Sequence, residues 1–444
     1  MRAYYALIVV ASVALPAFAE EPRARIVARL EHDRELAWTR WVGDDRLLCG
    51  ALDGHVSLFA IEGGDGNASA GPVARIEALP GVEFVAFRND LALCFDRSAV
   101  IGIRVKGCPV GEAWRQLGGD IWLPRFGDQD PEFLQRVQAA TLLSDRAVMF
   151  VNDGHAAALR LTDGKPFWAE RLSERQVIGL FPRERLGTPD EPDLIIVRQA
   201  PGMVQLETMT ISEAAMRPTP GILLEGTPTR VEAVGSNVFV VCPDRGIVHT
   251  GSAARVLAEG AFSAAKTAAL PGPTPSDPPY LVFADATSVS MRSPAGTVYR
   301  ANLADVRRLA RVGERVIAIT PDSLGFFSPM PDRDAAETSE VRDLPFRRVA
   351  RPKGEIHFGD AGDRVLVTAV RQQGERWRTL LDLVVWNDGA PQLVECEGLD
   401  ERSLLTGAPP MIEFQDGAGL TVAISGPADT EDGVWFTSIV EVTP

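Results

Sequence analysis

Short apolar runs broken by small polar turns follow one another along almost the whole chain. The stretch 147–172, AVMFVNDGHAAALRLTDGKPFWAERL, shows the grammar plainly. An apolar run reaches Asn152-Asp153-Gly154, a second run reaches Thr162-Asp163-Gly164, and a third ends in Phe167-Trp168. Asp-Gly between β-rich runs is a hairpin signal, because Gly tolerates positive φ and the Asp side chain bonds the local backbone.

The same punctuation recurs. RLLCGALDGHVSLFAI carries Asp53-Gly54, LALCFDRSAVIGIRV carries Asp96-Arg97, and NVFVVCPDRGIVHT carries Asp244-Arg245. YLVFADATSVSMR uses Asp285, RVIAITPDSLGFF uses Asp322, and DLIIVRQAPGMVQLETM substitutes Pro201-Gly202. Two further hairpins follow, around Gly374 and at Asp432-Gly433. From position 53 to position 322 the gaps between turns are 43, 57, 48, 43, 41 and 37 residues. A hairpin at that spacing matches the four-stranded blade of a β-propeller. The turn rule gives nine modules with the terminal one. Most propellers have fewer blades, so eight are expected, with seven next and the surplus as decoration. An all-β single propeller over residues 20–444 follows. An orphan strand at 25–31 should close the ring on the last strand at 436–443, removing two exposed edges together. Segment 129–143 (QDPEFLQRVQAATLL) is the best short helix candidate, or else a loop feeding a strand. The Pro-rich stretches 182–193 and 271–279 read as loops inside modules, and 329–345 as an acidic loop. Tandem sandwiches would give similar strands, but no linker halves the chain.

The N-terminus changes the address. Arg2, an apolar segment at 6–15, Pro16 and Ala17-Phe18-Ala19 have the form of an export signal cleaved after residue 19. The apolar run is short for a bilayer span, and no later one is longer. A periplasmic or secreted chain without membrane insertion is therefore expected. Its net charge of −15, from 45 basic and 60 acidic residues, opposes nucleic-acid phosphates and anionic lipid. Five Cys with no C-x-x-C pair argue against a zinc knuckle or a dense disulfide framework. Cys49, Cys94 and Cys242 lie in apolar runs and read as small core residues, free and in separate blades.

AALRLTDGKPFW, 157–168, resembles the repeat of the quinoprotein-type (PQQ-like) propellers, close to A-x-D-x-x-T-G-K-x-x-W. Ala158, Gly164, Lys165 and Trp168 match in place, while Arg160 and Asp163 stand where Asp and Thr are usual. IGIRVKGCPVGEAW echoes it with Gly111 and Trp114, and LDGHVSLFAIEGGDG is also similar to WD-type (WD40-like) repeats. The resemblance implies that the Trp packs one blade onto its neighbour. Such repeats encode packing and not chemistry.

The sharpest enzymatic alternative is a soluble quinoprotein-like oxidoreductase using PQQ and Ca²⁺, with His55, His155 or His249 as base. His55 and His155 each follow a hairpin Asp-Gly, a position more often solvated than catalytic. The adjacent cysteines of the large alcohol-oxidising type are missing, as are a G-x-S-x-G elbow and a calcium-loop pattern. His32 and His357 have no sequence partners for a metal. No catalytic residue, metal or cofactor is assigned. The expected function is a non-enzymatic scaffold that binds a protein or peptide through its loops. Asp53, Asp96, Asp153, Asp244, Asp285 and Asp322, with His55 and His155, should ring one face and incline it towards a cationic partner.

Overall fold

The computed structural model describes residues 22–61 and 71–443 apart from 119, 121–136, 143–145, 152–154, 172–175, 183–193, 201, 212–215, 219–221, 236, 243–244, 251–252, 260–262, 275–276, 330–340, 363, 388–389, 400–403, 416–419 and 429–433. The export signal assigned to residues 1–19 lies outside these.

The described chain is strand after strand in sheets of four or five strands. Each is built on four antiparallel strands, consecutive in sequence except where the two ends of the chain meet and where the short Arg342–Asp343 intervenes, which pairs parallel with Val298–Asn302. The first sheet spans 36–77, the second 83–117, the third 137–171, the fourth 176–225 and the fifth 230–259. The sixth begins at Thr267–Leu270, the seventh at Arg308–Val312, the eighth at Glu355–Ala361 and the ninth at Met411–Phe414. The ninth is completed by the N-terminal strand Arg23–His32, paired antiparallel with Trp435–Thr443 so that Arg29 faces Ser438. The closure expected of the two terminal strands is thus present.

Why the ring holds is visible in the apolar clusters. One joins Val42, Leu48 and Leu58 of the first sheet to Ala92, Cys94 and Ile101 of the second. Another joins Val316 and Phe327 of the seventh to Val282 and Met291 of the sixth. The series ends where Leu30 and Ile439 of the ninth pack on Leu36, Leu47 and Phe59 of the first. Each remaining neighbour pair shares a cluster of its own. Nine sheets therefore stand in the ring among the described residues, the number the turn rule gives, where eight with seven next was expected. No hairpin is decoration, because each sheet buries both faces against neighbours. That sandwiching also explains the unbroken apolar runs. Asn237–Cys242, a second strand, is buried at every position, whereas the outermost Arg23–His32 alternates.

The helix candidate is corrected in the part that is described. Val137–Leu142 is the innermost strand of the third sheet, registered with 147–151. Its β-branched residues and a partner strand outweigh the local helical spacing. The Pro-rich stretches do separate first from second strands: 183–193 lies between Gln176–Pro182 and Leu194–Ala200, and 271–279 between Thr267–Leu270 and Tyr280–Ala284. Cys49 and Cys94 are buried free thiols on second strands of two sheets, as expected, and Cys242 is buried on the second strand of a third, with Cys396 also buried and Cys108 exposed.

The repeat-like stretch does what its Trp implies. Trp168 lies on an outermost strand opposite Ala158 and packs with Leu194, Ile196 and Met209 of the next sheet. Trp114, its weaker echo, is better buried. It lies over Gly102 of its own sheet and donates Nε1–H to Leu161 O of the next, at 2.7 Å. Gly164, with φ +69°, receives it: a β-carbon there would lie 2.5 Å from Trp114 Cε3.

Candidate functional site

Within each sheet the strands alternate in direction from the inner wall outwards. The turn between second and third strands and the linker to the next sheet must then lie at the same end of the ring. Hydrogen bonds tie these elements together. Ala78 N donates to Gly54 O at 3.1 Å, Gly118 N to Ser98 O at 2.9 Å, Gly226 N to Gly202 O at 3.0 Å and Arg351 N to Asp322 O at 2.9 Å. The result is a continuous turn face stitched to its own linkers.

The aspartates predicted for this face are turn residues, and most of those described have their carboxylates engaged. Asp96 is fully buried. Its Oδ1 accepts from Ser98 N (2.7 Å), Ser98 Oγ (2.8 Å) and Ala99 N (2.9 Å), and its Oδ2 from Leu79 N of the preceding linker (2.9 Å). Asp285 repeats the turn, accepting from Thr287 N (2.8 Å), Ser288 N (2.7 Å) and both hydroxyls. Burial alone would raise its pKa, but these donors hold it below the usual range. In the seventh sheet Thr320 fills that role, its Oγ1 accepting from Ser323 N at 2.9 Å. Asp53 is ion-paired with Arg34 and bonded by His55 Nδ1 at 3.1 Å. Of these four, Asp322 is the one whose carboxylate has no bond among the described residues. Asp153 and Asp244 lie outside the described residues, and so does the His155 side chain, although its backbone pairs with Arg171. Among the described residues, much of the acidity expected to favour cations is spent on the turns themselves.

Sequence reasoning missed the cations. Arg230 and Glu232 of the fifth sheet, Ala264 and Ala265, and Arg308 and Arg311 of the seventh line a cavity of about 560 Å³ on the inner wall. Arg230 is anchored, donating Nε–H to Glu232 at 2.8 Å and Nη1–H to Thr267 O at 2.6 Å. Arg308 stands near His357 of the eighth sheet. Burial lowers the pKa of that His and Arg308 lowers it further, against an opposing pull from Glu355. The signal was in the runs RRLARVGER (307–315) and FRRVARPKG (346–354). Their partners were not, since pairing depends on register and linkers.

A bound Ca²⁺–quinone pair would need convergent oxygen ligands and a base beside them. Among the described residues no group of three His, Cys, Asp or Glu could hold a metal. The His55 ring is bonded to Asp53 at the hairpin of a third strand, away from the inner wall. Of the three candidate bases, His55 alone has its side chain among the described residues, and that ring is committed to Asp53.

No family model matches the chain and no curated protein matches it. Among solved structures it is similar to BamB from Moraxella catarrhalis, at 12% identity and a TM-score of 0.40, covering 93% of this chain and 97% of that one. It is similar to the computationally designed Ika8 protein at 11% identity and a TM-score of 0.44, covering 93% and 99%. The C-terminal WD40 domain of Sif2 follows at 9% identity and a TM-score of 0.43, covering 78% and 95%. At these scores the likeness carries no functional inference.

Proposed function

We propose that this chain is an exported propeller that binds a protein or peptide partner through its turn face, with no chemistry of its own. The observation that supports the reading is the stitching of turns to linkers, above all Leu79 N held by the buried Asp96 carboxylate. Loops fixed to a rigid ring lose little entropy on binding, which favours recognition. Leu52, in the first of the turns, is 52% exposed and Leu117, at the same end, 40% exposed. Large apolar groups left in water on a loop face are apt for a partner to cover.

Photo-crosslinking amino acids placed singly at Leu52 and Asp322 on the turn face, and at Thr162 and Glu314 at the opposite end, test the proposal in the exporting cell. A discrete crosslinked protein from the first pair alone is expected. Equal labelling from both ends, or none from the turn face, would refute it.

A further inference from the structure

The turn face is not uniform in charge. In the eighth sheet the second and third strands, Arg364–Gln373 and Arg376–Asn387, are 10 and 12 residues long. Their counterparts in the seventh, Arg315–Ile319 and Ser323–Phe327, have 5 each. The inner strand of the eighth sheet registers only with 364–370. Residues 371–378 therefore project beyond the sheet as a finger. Leu405–Thr406 pairs with Trp377 and Arg378 on the outer flank. The inner flank at 371–373 has no paired strand among the described residues.

The linker 351–354 lies against the finger's base. Gly354 adopts φ +124°, and a β-carbon there would collide with the Val370 carbonyl. Arg351 clamps this linker, donating to Gly354 O at 2.8 Å and Thr320 O at 3.4 Å. Lys353 and Arg371 stand beside it, with Arg307 and Arg308 on the preceding linker and inner strand. None of these four has a carboxylate partner among the described residues. Asp305, Asp322, Glu355 and Glu375 share the sector, so the cations exceed the carboxylates once Arg351 and the exposed Arg376 are included. This is a local reversal of sign in a chain of net charge −15.

Resting on the binding reading above, we propose that this sector docks an acidic, extended peptide segment of the partner. The reversed charge attracts carboxylates, and the open flank of the finger offers main-chain groups to an extended chain. A planar anionic membrane or a long polyanion fits less well. Either would be drawn across the same face over Glu35, Asp53, Glu77 and Glu83, while a short segment stays within one Debye length, about 8 Å, of the cations.

The test is fluorescence anisotropy on the full chain with a labelled Glu/Ser peptide, a Lys/Ser peptide of equal length, and vesicles containing phosphatidylglycerol. The Glu/Ser peptide should bind, and binding should weaken between about 50 and about 300 mM salt. The pair Lys353→Glu with Arg371→Glu should weaken it by about tenfold or more with the melting temperature unchanged. Should that pair fail to fold, Lys353→Gln with Arg371→Gln should give a smaller loss in the same direction. Preference for the Lys/Ser peptide, stronger vesicle binding, no acidic-peptide binding, or equal binding by the charge-reversed chain would each overturn the proposal. If Leu52 and Asp322 crosslink a partner while the acidic peptide fails, this inference falls and the binding reading stands. If neither crosslinks, the binding reading itself falls.

Discussion

A glycine can be kept for its neighbour as much as for its own backbone. Gly164 sits in the hairpin of the repeat-like stretch, where its φ of +69° suits the turn, and it also takes the face of Trp114 from the preceding sheet. Gly164→Ala should cost about 2–4 kcal/mol, combining left-handed strain with overpacking. Trp114→Ala should cost about 3–5 kcal/mol, as loss of a buried aromatic does, and so should Trp168→Ala where it packs on Leu194 and Ile196. Urea unfolding of both Gly164→Ala and Trp114→Ala chains and their combination checks the coupling. With the indole gone the alanine should cost about 1 kcal/mol less than in the parent, and strict additivity would show that the contact carries no energy. At this scale the sequence names the partners' types and not their pairing. Trp168 and Gly164 stand out in one motif, yet Gly164 serves Trp114, 50 positions earlier. Asp96 likewise reads as a rim acid, but the Leu79 amide that buries its charge belongs to a linker.

The closing strand carries its own titratable group. His32 Nε2 meets Thr437 Oγ1 at 2.9 Å, and Thr437 Oγ1 meets Ser425 Oγ at 2.8 Å, in a buried string across the closing strand and the last two strands. Its ring also lies edge-on to Phe59, centroids 5.1 Å apart, on the first sheet. Burial pushes its pKa down to about 4, against a smaller upward pull from Asp33. A neutral folded form below its unfolded value means that the unfolded chain binds the extra proton. The contribution is therefore complete above about pH 6.5 and is lost as pH falls towards 4, amounting to about 3 kcal/mol. His32→Gln should flatten that loss in acid urea titrations; an unchanged slope would assign it elsewhere. Asp382 runs the other way. Burial, with Glu395 directly opposite in register, raises it to about 6. Its folded form favours the proton, so stability is lost as pH rises from about 4 to 6. Asp382→Asn should raise stability at neutral pH by about 1 kcal/mol, after discounting for solvent screening, and leave it unchanged near pH 3. The terminal pairing was legible because two apolar strands had no other partner. The strand at Val137–Leu142 was not, because its helical spacing and its strand register both satisfy so short a segment.

The number of sheets was legible and was discounted: the turn rule reaches nine, and frequency among propellers argued for fewer. Each apolar cluster bridges two sheets, so stability is cooperative around the ring in a way that an open stack of repeats is not. The cysteines report on this. Cys49, Cys94, Cys242 and Cys396 are buried on the first, second, fifth and eighth sheets, while Cys108 is exposed. Burial raises the thiol pKa of Cys94 and Cys396 to about 12 and that of Cys49 higher still, which adds a chemical barrier to the steric one. A thiol reagent should consume Cys108 at once in the native protein and leave the other four untouched. In rising urea, removing one sheet from a closed ring exposes two apolar interfaces and the edges of its neighbours. No partly open ring is then favoured over the whole, and the four buried thiols should become reactive at a single midpoint that coincides with the loss of β-structure in circular dichroism. Reaction of Cys242 or Cys396 at distinctly lower urea than Cys49 and Cys94 would mean that the sheets open separately. The closure by Arg23–His32 would then be a local strap and not the bond that makes the ring one unit.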